Sequence, residues 1–242
     1  MNRALKLARC LLISGYRDNL ICDGVAAGVE HERMLRQLPN LKTIIDIGAN
    51  RGQFALAARW GFPQARIFSF EPLAEPAERF RKVFAGNHRV RLYEVAIAPE
   101  RGERTIHVSR EDDSSSLLPI SPLQVRLFPN TTEVRKQSVR VGPLRDFLRP
   151  EEVEPPALLK LDVQGYELEA LMGCEGLLDL FAYVYAECSF VELYTGQALA
   201  DEVIDWLRDR GYRLIGIYNI AYAPNGQPVQ GDFLFLRTGD HT

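Results

Sequence analysis

Five carboxylates stand where predicted β-strands end, and they are the residues best suited to bind a ligand. Asp46, Glu71, Glu94, Asp162 and Glu187 each lie at the end of a β-branched or apolar run. The carboxyl ends of parallel strands meet at one edge of a sheet, where open α/β sheets bind ligands. Capping of the following helix explains any one such acid equally well. Five like charges on one edge cost free energy unless a cation or a donor-rich ligand offsets them.

A glycine loop follows the first of these acids. The stretch TIIDIGANRGQF places Gly48 and Gly52 between a predicted strand and a helical pattern that starts at Phe54. Glu71 follows Gly52 by 19 residues, close to the ~20-residue offset at which an acid accepts hydrogen bonds from ribose hydroxyls. The ligand is therefore expected to be a nucleoside.

Nicotinamide dinucleotides and S-adenosylmethionine are the two nucleosides to distinguish. Dinucleotide loops read G-x-G-x-x-G, whereas Ala49-Asn50 stand here in place of the second glycine, and Asp46 would repel a pyrophosphate. S-adenosylmethionine carries an ammonium and a sulfonium that suit Asp46, and its carboxylate suits the amide groups at the helix start near Gly52. We therefore expect Asp46→Ala to weaken S-adenosylmethionine binding and leave the fold intact.

Two alternatives to a methyltransferase stay open at this point. One is an NAD(P)-dependent oxidoreductase on the same architecture, which the loop spacing disfavours. The other is a non-catalytic scaffold that keeps the fold and binds the cofactor.

Alternating strands and helices predict an α/β fold with a doubly wound, mostly parallel sheet. The residues 213–220 and 232–237 flank Asn225-Gly226 and predict a C-terminal hairpin, which adds one antiparallel edge. The other predicted strands are 43–47, 66–72, 90–97, 103–110, 157–163 and 182–190, and the predicted helices include 52–61, 74–85 and 198–210.

One domain is expected over residues 41–242, preceded by a helical segment at 1–40. That segment is basic and amphipathic at its start, and we expect it to pack on the domain or to act as a lid. Residues 111–137 are rich in Asp, Ser, Pro and Arg and show no clear element. An insertion of this length is usually functional or mobile.

The chain resembles the FkbM family of S-adenosylmethionine-dependent methyltransferases from about Thr43 to Leu236. The resemblance rests on DIGANRGQFAL, FSFEP, LLKLDVQGYELEAL and YAECSF. It implies a class I methyltransferase (Rossmann-like) fold and O-methylation of a sugar, a glycan or another natural product. The expected cofactor-binding residues are Asp46, Gly48, Asn50, Gly52, Phe54 and Glu71, which match the family motifs, together with Glu94 and with Ser115 of the segment DDSSSLL.

An alcohol loses its proton during methyl transfer, so a base or an electrostatic stabiliser is needed. The candidates are Asp162, Glu187 and His31, although a lone histidine on an amphipathic segment is more often a packing residue. Asp162 and Glu187 end neighbouring strands and are expected to converge on one acceptor or one Mg²⁺. Mg²⁺ is not favoured and no metal ligand is assigned, because Cys188-Ser189 follow Glu187 where Mg²⁺-dependent relatives tend to carry an extra acid.

Four further residues are expected to contact the acceptor, since they lie in loops at the same edge of the sheet. They are Gln164, Tyr194, Gln197 and Asn219.

Composition excludes several partner classes. The net charge of −3 over 242 residues gives no basic surface for nucleic acid. No apolar run approaches the ~20 residues of a membrane span. Four cysteines without zinc spacing suit a reducing compartment, so we expect a cytoplasmic protein that acts on a small molecule or a glycan. The sequence does not fix the oligomeric state, and a homodimer is compatible with it.

Overall fold

Ten β-strands lie within residues 3–239, the part of the chain that the computed structural model describes. The strands are β1 Thr43–Ile47, β2 Arg66–Phe70, β3 Val90–Tyr93, β4 Ala96–Ile97, β5 Gly102–Ser109, β6 Glu133–Gly142, β7 Ala157–Leu161, β8 Tyr183–Ser189, β9 Tyr212–Tyr222 and β10 Pro228–Arg237. The helices are α1 Arg3–Leu12, α2 Ser14–Asp23, α3 Glu32–Leu35, α4 Gln53–Gly61, α5 Ala74–Val83, α6 Pro122–Leu127, α7 Glu167–Cys174 and α8 Ala200–Asp209.

Seven strands form the central sheet in the order β3-β2-β1-β7-β8-β10-β9. The pairs from β3 to β8 are parallel, and β10 is antiparallel to both β8 and β9. The predicted doubly wound, mostly parallel sheet with a C-terminal antiparallel hairpin strand is therefore confirmed. The antiparallel strand lies one position in from the edge, because β9 occupies the edge itself.

The central strands are buried on both faces. All five residues of β1 and all five of β7 are buried, as expected for parallel strands covered by helices. Successive side chains point to opposite faces. Ile44 accordingly packs in one core cluster with α4 and α5, whereas Ile45 and Ile47 pack in the other with α7 and α8.

The N-terminal helices belong to the first of these clusters. Tyr16, Met34 and Leu35 are buried in it beside Phe54 of α4. Two ion pairs, Lys6–Glu30 and Arg9–Glu32, tie α1 to the turn that precedes α3 and to the first residue of α3. No helix within residues 3–239 is long and apolar enough to cross a membrane.

The structure departs from the sequence-based prediction in two segments. The strand predicted over 90–97 is split, because β3 ends at Tyr93 and β4 pairs with β6 in a separate sheet of order β4-β6-β5. The segment 111–137 holds a 3-10 turn at Asp112–Ser114, then α6 and the first residues of β6. The sequence did not predict β6, because its first half is polar: five of its first six residues are exposed to solvent.

Candidate active site

A cavity opens at the carboxyl ends of β1, β2 and β7. It has an empty volume of about 1030 Å³, part of it open to solvent. We call it the main cavity. Its lining includes Gly48, Asn50, Phe54, Glu71, Ser115, Asp162, Gln164, His31 and Lys160.

The charge of the lining is predominantly negative. Five carboxylates line the main cavity (Glu30, Glu71, Asp112, Asp113 and Asp162) against the two amines of Lys6 and Lys160. A ligand that carries positive charge offsets this excess, and a pyrophosphate adds to it.

Gly48 allows the ends of β1 and β7 to meet. Its φ is +77°, and a Cβ at this position would lie 1.8 Å from the carbonyl oxygen of Asp162. Any side chain would therefore push apart the two strands that carry the lining residues. The glycine at the start of the loop serves this close approach.

The amide groups of the glycine loop are already hydrogen-bonded within the chain. The amides of Gly48 and Ala49 donate to the carbonyl of Phe70, and that of Gly52 donates to Ala49. Asn50 donates its amide to Glu71, and Arg51 donates to the side chain of Asn50. The amides of residues 48–52 are therefore engaged within the chain. The prediction that amides at the start of the helix bind a ligand carboxylate rests on Gln53 and Phe54, the first residues of α4, which line the main cavity.

Gly52 serves packing and does not line the main cavity. Its φ is +92°, and a Cβ there would lie 2.6 Å from Phe84 and 3.0 Å from Phe80. The glycine thus lets the start of α4 approach the aromatic side chains of α5 and the residue after it. The sequence predicted that Gly52 contacts the cofactor directly, whereas the structure gives it a packing role outside the main cavity.

Asp46 is fully buried and paired with Lys160. The side-chain nitrogen of Lys160 lies 3.0 Å from Oδ1 of Asp46, and it also donates to the carbonyl of Gly48 at 3.1 Å. Burial alone lowers the pKa of Lys160, but Asp46 and Asp162 outweigh it, and the pKa is raised. Asp46 does not line the main cavity, so the expected contact with a ligand cation is wrong.

Glu71 lies at the end of β2 and is 5% exposed. Its Oε2 accepts the amide of Asn50 at 2.9 Å, and its Oε1 accepts the amide of Leu73 at 2.8 Å. Burial raises its pKa to about 7, against the lowering effect of these two hydrogen bonds. The carboxylate is thus held rigidly at the cavity wall with lone pairs left for ligand hydroxyls.

The other residues expected to bind the cofactor divide into two groups. Phe54 and Ser115 line the main cavity, and the Phe54 ring centroid is 5.4 Å from the nitrogen of Lys160. Glu94 is exposed and pairs with Arg81 outside the cavity. It misses the cavity because β3 ends at Tyr93, after which the chain turns and places Ala96 and Ile97 in the lining instead.

Gln164 joins the two acids expected to act in catalysis. Its Nε2 donates to Oδ1 of Asp162 at 2.8 Å and to Oε2 of Glu187 at 3.0 Å. Asp162 and Gln164 line the main cavity, and Glu187 stands behind them outside its lining. Burial, and then the charge of Asp162, raise the pKa of Glu187 well above its ordinary value. Gln164 holds this position with φ at +57°, a strained conformation typical of functional sites.

Two residues expected to contact the acceptor instead support the site from behind. Tyr194 is 2% exposed and donates its hydroxyl to Oε1 of Gln164 at 2.8 Å. Gln197 is 7% exposed, and its Oε1 accepts the amides of Leu193 and Tyr194. Neither lines the main cavity, so Tyr194 positions Gln164 and Gln197 shapes the loop.

His31 lines the main cavity and contacts two residues that the sequence did not single out. Its Nδ1 is 3.1 Å from the hydroxyl of Tyr185 and 3.6 Å from Oδ2 of Asp232. Asn219, expected to contact the acceptor, donates to the same Asp232 oxygen at 2.7 Å. In the sequence, Asp232 is marked only as an acid that begins the apolar run DFLFLR.

Within residues 3–239 no group of three or more His, Cys, Asp or Glu side chains is placed to hold a metal ion. Asp162 and Glu187, the pair considered for Mg²⁺, are instead joined by the amide of Gln164.

Comparisons with known proteins agree with this architecture. A relative from Sinorhizobium fredii (strain NBRC 101917 / NGR234), described as 2-O-methyltransferase NoeI, is 29% identical over 240 residues, which are 94% of this chain and 95% of the relative. Methyltransferase sdnD of Sordaria araneosa is 25% identical over 208 residues, covering 76% of this chain and 78% of that protein.

The crystal structure of a putative O-methyltransferase from Klebsiella pneumoniae is similar in fold. It matches with a TM-score of 0.50 at 14% identity, over 96% of this chain and 90% of that one. The predicted class I methyltransferase fold is thereby confirmed, in agreement with the strand order of the central sheet.

The family model of the methyltransferase FkbM domain matches residues 46–214. This range includes every lining residue of the main cavity except Lys6, Glu30 and His31. The chain therefore belongs to the FkbM methyltransferase family.

Proposed function

We propose that this methyltransferase uses S-adenosylmethionine to methylate a hydroxyl oxygen of a sugar or glycan. The observation that carries the proposal is Glu71, a rigid buried carboxylate at the end of β2 in a cavity with an excess of negative charge. Ribose hydroxyls donate to an acid at this place in nucleoside-binding α/β folds. The ammonium and sulfonium of the methyl donor suit the negative lining.

The residues present fit this ligand better than a nicotinamide dinucleotide. Free loop amides and a close glycine approach are what a pyrophosphate needs, and the loop amides here are bonded internally. No observation favours the oxidoreductase alternative.

The activated methyl group is the chemistry that the bound donor supplies. The protein's task is then to orient the acceptor hydroxyl and to receive its proton. Orientation alone contributes on the order of 7–11 kcal/mol in well-aligned reactions. Asp162 and Gln164 line the main cavity and keep oxygen lone pairs that can accept sugar hydroxyls, since both amide hydrogens of Gln164 are donated to Asp162 and Glu187. The relative named as a 2-O-methyltransferase supports oxygen as the atom methylated.

Thermal unfolding with added ligands tests the cofactor. S-adenosylhomocysteine at ~100 times its dissociation constant stabilises the protein by about 2.7 kcal/mol, which for a chain of this size raises Tm by roughly 5–10 °C. Glu71→Gln should reduce this shift. The Tm of the free variant is measured beside it, because a glutamine can accept only one of the two backbone amides that the Glu71 carboxylate accepts. A rise in Tm with NAD, and none with S-adenosylhomocysteine or S-adenosylmethionine, refutes the proposal.

Transfer of labelled methyl groups tests the acceptor class. Wild-type protein is incubated with methyl-labelled S-adenosylmethionine and a set of methyl hexosides and short oligosaccharides. A methyl ether withstands mild alkali, whereas a methyl ester releases methanol. Alkali-stable label on a sugar supports O-methylation of a hydroxyl. Label that appears only as an ester, or only on non-carbohydrate acceptors, contradicts the proposed acceptor.

A further inference from the structure

Three side chains from distant parts of the chain meet beside the main cavity. His31 comes from the turn before α3, Tyr185 from β8 and Asp232 from β10. The Tyr185 hydroxyl lies 3.1 Å from Nδ1 of His31 and 2.9 Å from Oδ2 of Asp232. Tyr185 is 1% exposed and Asp232 is 7% exposed, so this chain of hydrogen bonds is shielded from water.

The hydrogen bonds fix which nitrogen of His31 carries a proton. The Tyr185 hydroxyl has one proton, which it donates to Asp232. Asn219 donates to the same carboxylate oxygen at 2.7 Å, so Asp232 acts as the acceptor of both groups. Towards His31 the hydroxyl then offers only a lone pair. Nδ1 must be the protonated nitrogen of a neutral His31, which leaves Nε2 with a lone pair.

The ring of His31 is also held from other directions. It makes edge contacts with Phe54 at 5.3 Å and Tyr185 at 5.7 Å between ring centroids. Its side chain keeps 13% of its surface exposed, and it belongs to the lining of the main cavity. None of the hydrogen bonds found within residues 3–239 uses Nε2.

The other two candidate bases are engaged differently. Asp162 and Glu187 both accept from the Gln164 amide, and Glu187 also accepts from Gln230 at 2.7 Å. Glu187 lies outside the lining of the main cavity. His31 differs from the other two candidates, because its buried hydrogen-bond chain fixes the tautomer and leaves Nε2 free to accept a proton.

We propose that His31 is the general base of methyl transfer and that Tyr185 and Asp232 are positioning residues that hold its Nε2 ready to accept a proton. The proposal rests on the proposed function. In the step, the acceptor oxygen forms a bond to the methyl carbon as the carbon–sulfur bond breaks, and that electron pair goes to sulfur. His31 Nε2 takes the hydroxyl proton and later releases it to water.

The tautomer of His31 is a readout that needs no acceptor. Nitrogen-15 NMR of the imidazole side chains distinguishes Nδ1–H from Nε2–H, and the spectrum of His31→Gln identifies the His31 signals. We expect Nδ1–H in the neutral wild-type ring and a mixture or the opposite tautomer in Tyr185→Phe and Asp232→Asn. A neutral His31 that carries its proton on Nε2 in the wild-type protein overturns the proposal.

Kinetics with any acceptor that the wild type methylates gives the second readout. We expect His31→Ala to lower kcat by about 10²- to 10⁴-fold, the usual contribution of a general base, while its dissociation constant for S-adenosylhomocysteine stays within about threefold. Added imidazoles should restore turnover to His31→Ala, with more basic imidazoles acting better. Tyr185→Phe and Asp232→Asn should lower kcat by about 10²-fold through misplacement of the ring, with little change in KM.

His88→Gln is the matched control, because His88 is an exposed histidine away from the main cavity. It should keep wild-type activity and show no response to imidazole. If His31→Ala binds S-adenosylhomocysteine and keeps wild-type turnover, the proposed role of His31 is refuted. The methyltransferase proposal itself then stays intact. If wild-type protein binds neither adenosyl ligand, the proposed function itself has failed.

Discussion

The side-chain nitrogen of Lys160 lies 3.0 Å from Oδ1 of Asp46, and both side chains are almost completely buried. This pair joins β1 to its neighbour β7 directly beneath the cavity. The lysine charge therefore balances the acid that was expected to meet the ligand. Asp46 contributes to the site by holding Lys160, which itself lines the main cavity.

Asp46→Asn should destabilise the protein strongly. It removes the nearer carboxylate from the buried Lys160 ammonium and leaves only Asp162, at 3.9 Å. Breaking a buried pair costs about 3–5 kcal/mol. Urea unfolding followed by circular dichroism measures the change. Asp46→Asn combined with Lys160→Met removes both charges and should recover much of the loss.

The exposed pair Asp205–Arg208 is the control, with a separation of 2.6 Å. Asp205→Asn should change stability by less than about 0.5 kcal/mol, because water already solvates both groups. An equally small effect of Asp46→Asn would mean that the Asp46–Lys160 pair is not a stabilising contact.

Affinity for S-adenosylhomocysteine should fall as the pH falls through about 7. The ionised form of Glu71 accepts ribose hydroxyls best, and burial raises its pKa to about 7. If only the ionised form binds, affinity is about tenfold lower at pH 6 than at pH 8. Isothermal titration calorimetry should show proton release at pH 6.5, and both effects should vanish in Glu71→Gln.

The same group gives the opposite trend in the stability of the free protein. Because its pKa is higher in the folded state than the 4.5 of an unperturbed Glu, the folded protein binds more protons than the unfolded chain between about pH 4.5 and 7. The stabilisation from this carboxyl group is therefore lost as the pH rises through that window. The free energy of unfolding is measured against pH for wild type and for Glu71→Gln. The difference between the two curves isolates the contribution of Glu71 from that of Glu167, whose pKa is raised to about 8 by burial.

Gly48→Ala should destabilise the fold and abolish cofactor binding together. The new Cβ would clash with the backbone of Asp162, and φ at +77° is unfavourable for alanine, so we expect a loss of about 3 kcal/mol or more. Gly226→Ala in the β9–β10 turn has a similar φ of +84° but open space around it. It should cost only about 1–2 kcal/mol and leave S-adenosylhomocysteine binding unchanged.

Tyr194→Phe should impair turnover without weakening cofactor binding. It removes the hydroxyl that donates to Gln164, which leaves the strained glutamine free to turn away from Asp162 and Glu187. The lost buried hydrogen bond should cost about 1–3 kcal/mol of stability. Calorimetry with S-adenosylhomocysteine and methyl-transfer rates measure the two effects. An increase in KM at constant kcat would instead indicate direct contact with the acceptor.

Local sequence patterns were sufficient to predict the central sheet and the edge at which the main cavity opens. Unbroken apolar runs predicted β1 and β7, because parallel strands are covered on both faces. The offset from Gly52 to Glu71 predicted a ligand-binding acid at the end of β2, and the structure places Glu71 in the lining of the main cavity there. These features depend on residues that are close together in the sequence, and such residues determine the periodicity from which helices and strands are predicted.

Contacts between distant segments could not be read in this way. The pairing of Lys160 with Asp46 could not be predicted from the sequence, because it depends on β7 lying next to β1 in the folded sheet. Glu94 stood at a predicted strand end, but a change of sheet after Tyr93 removed it from the cavity. Gln197 and Tyr194 lie in a loop that folds inward, where their polar groups bond to the protein instead of a ligand.

The insertion of β10 between β8 and β9 has a consequence for how the enzyme is made. Until the ribosome has released residues 228–237, β8 and β9 each lack a neighbour, and unpaired strand edges invite aggregation. The same final strand delivers Asp232, 47 residues after Tyr185, while His31 precedes Tyr185 by 154 residues. A nascent chain that already contains the whole glycine loop would therefore still lack Asp232, the carboxylate proposed to position His31, until synthesis has passed residue 232.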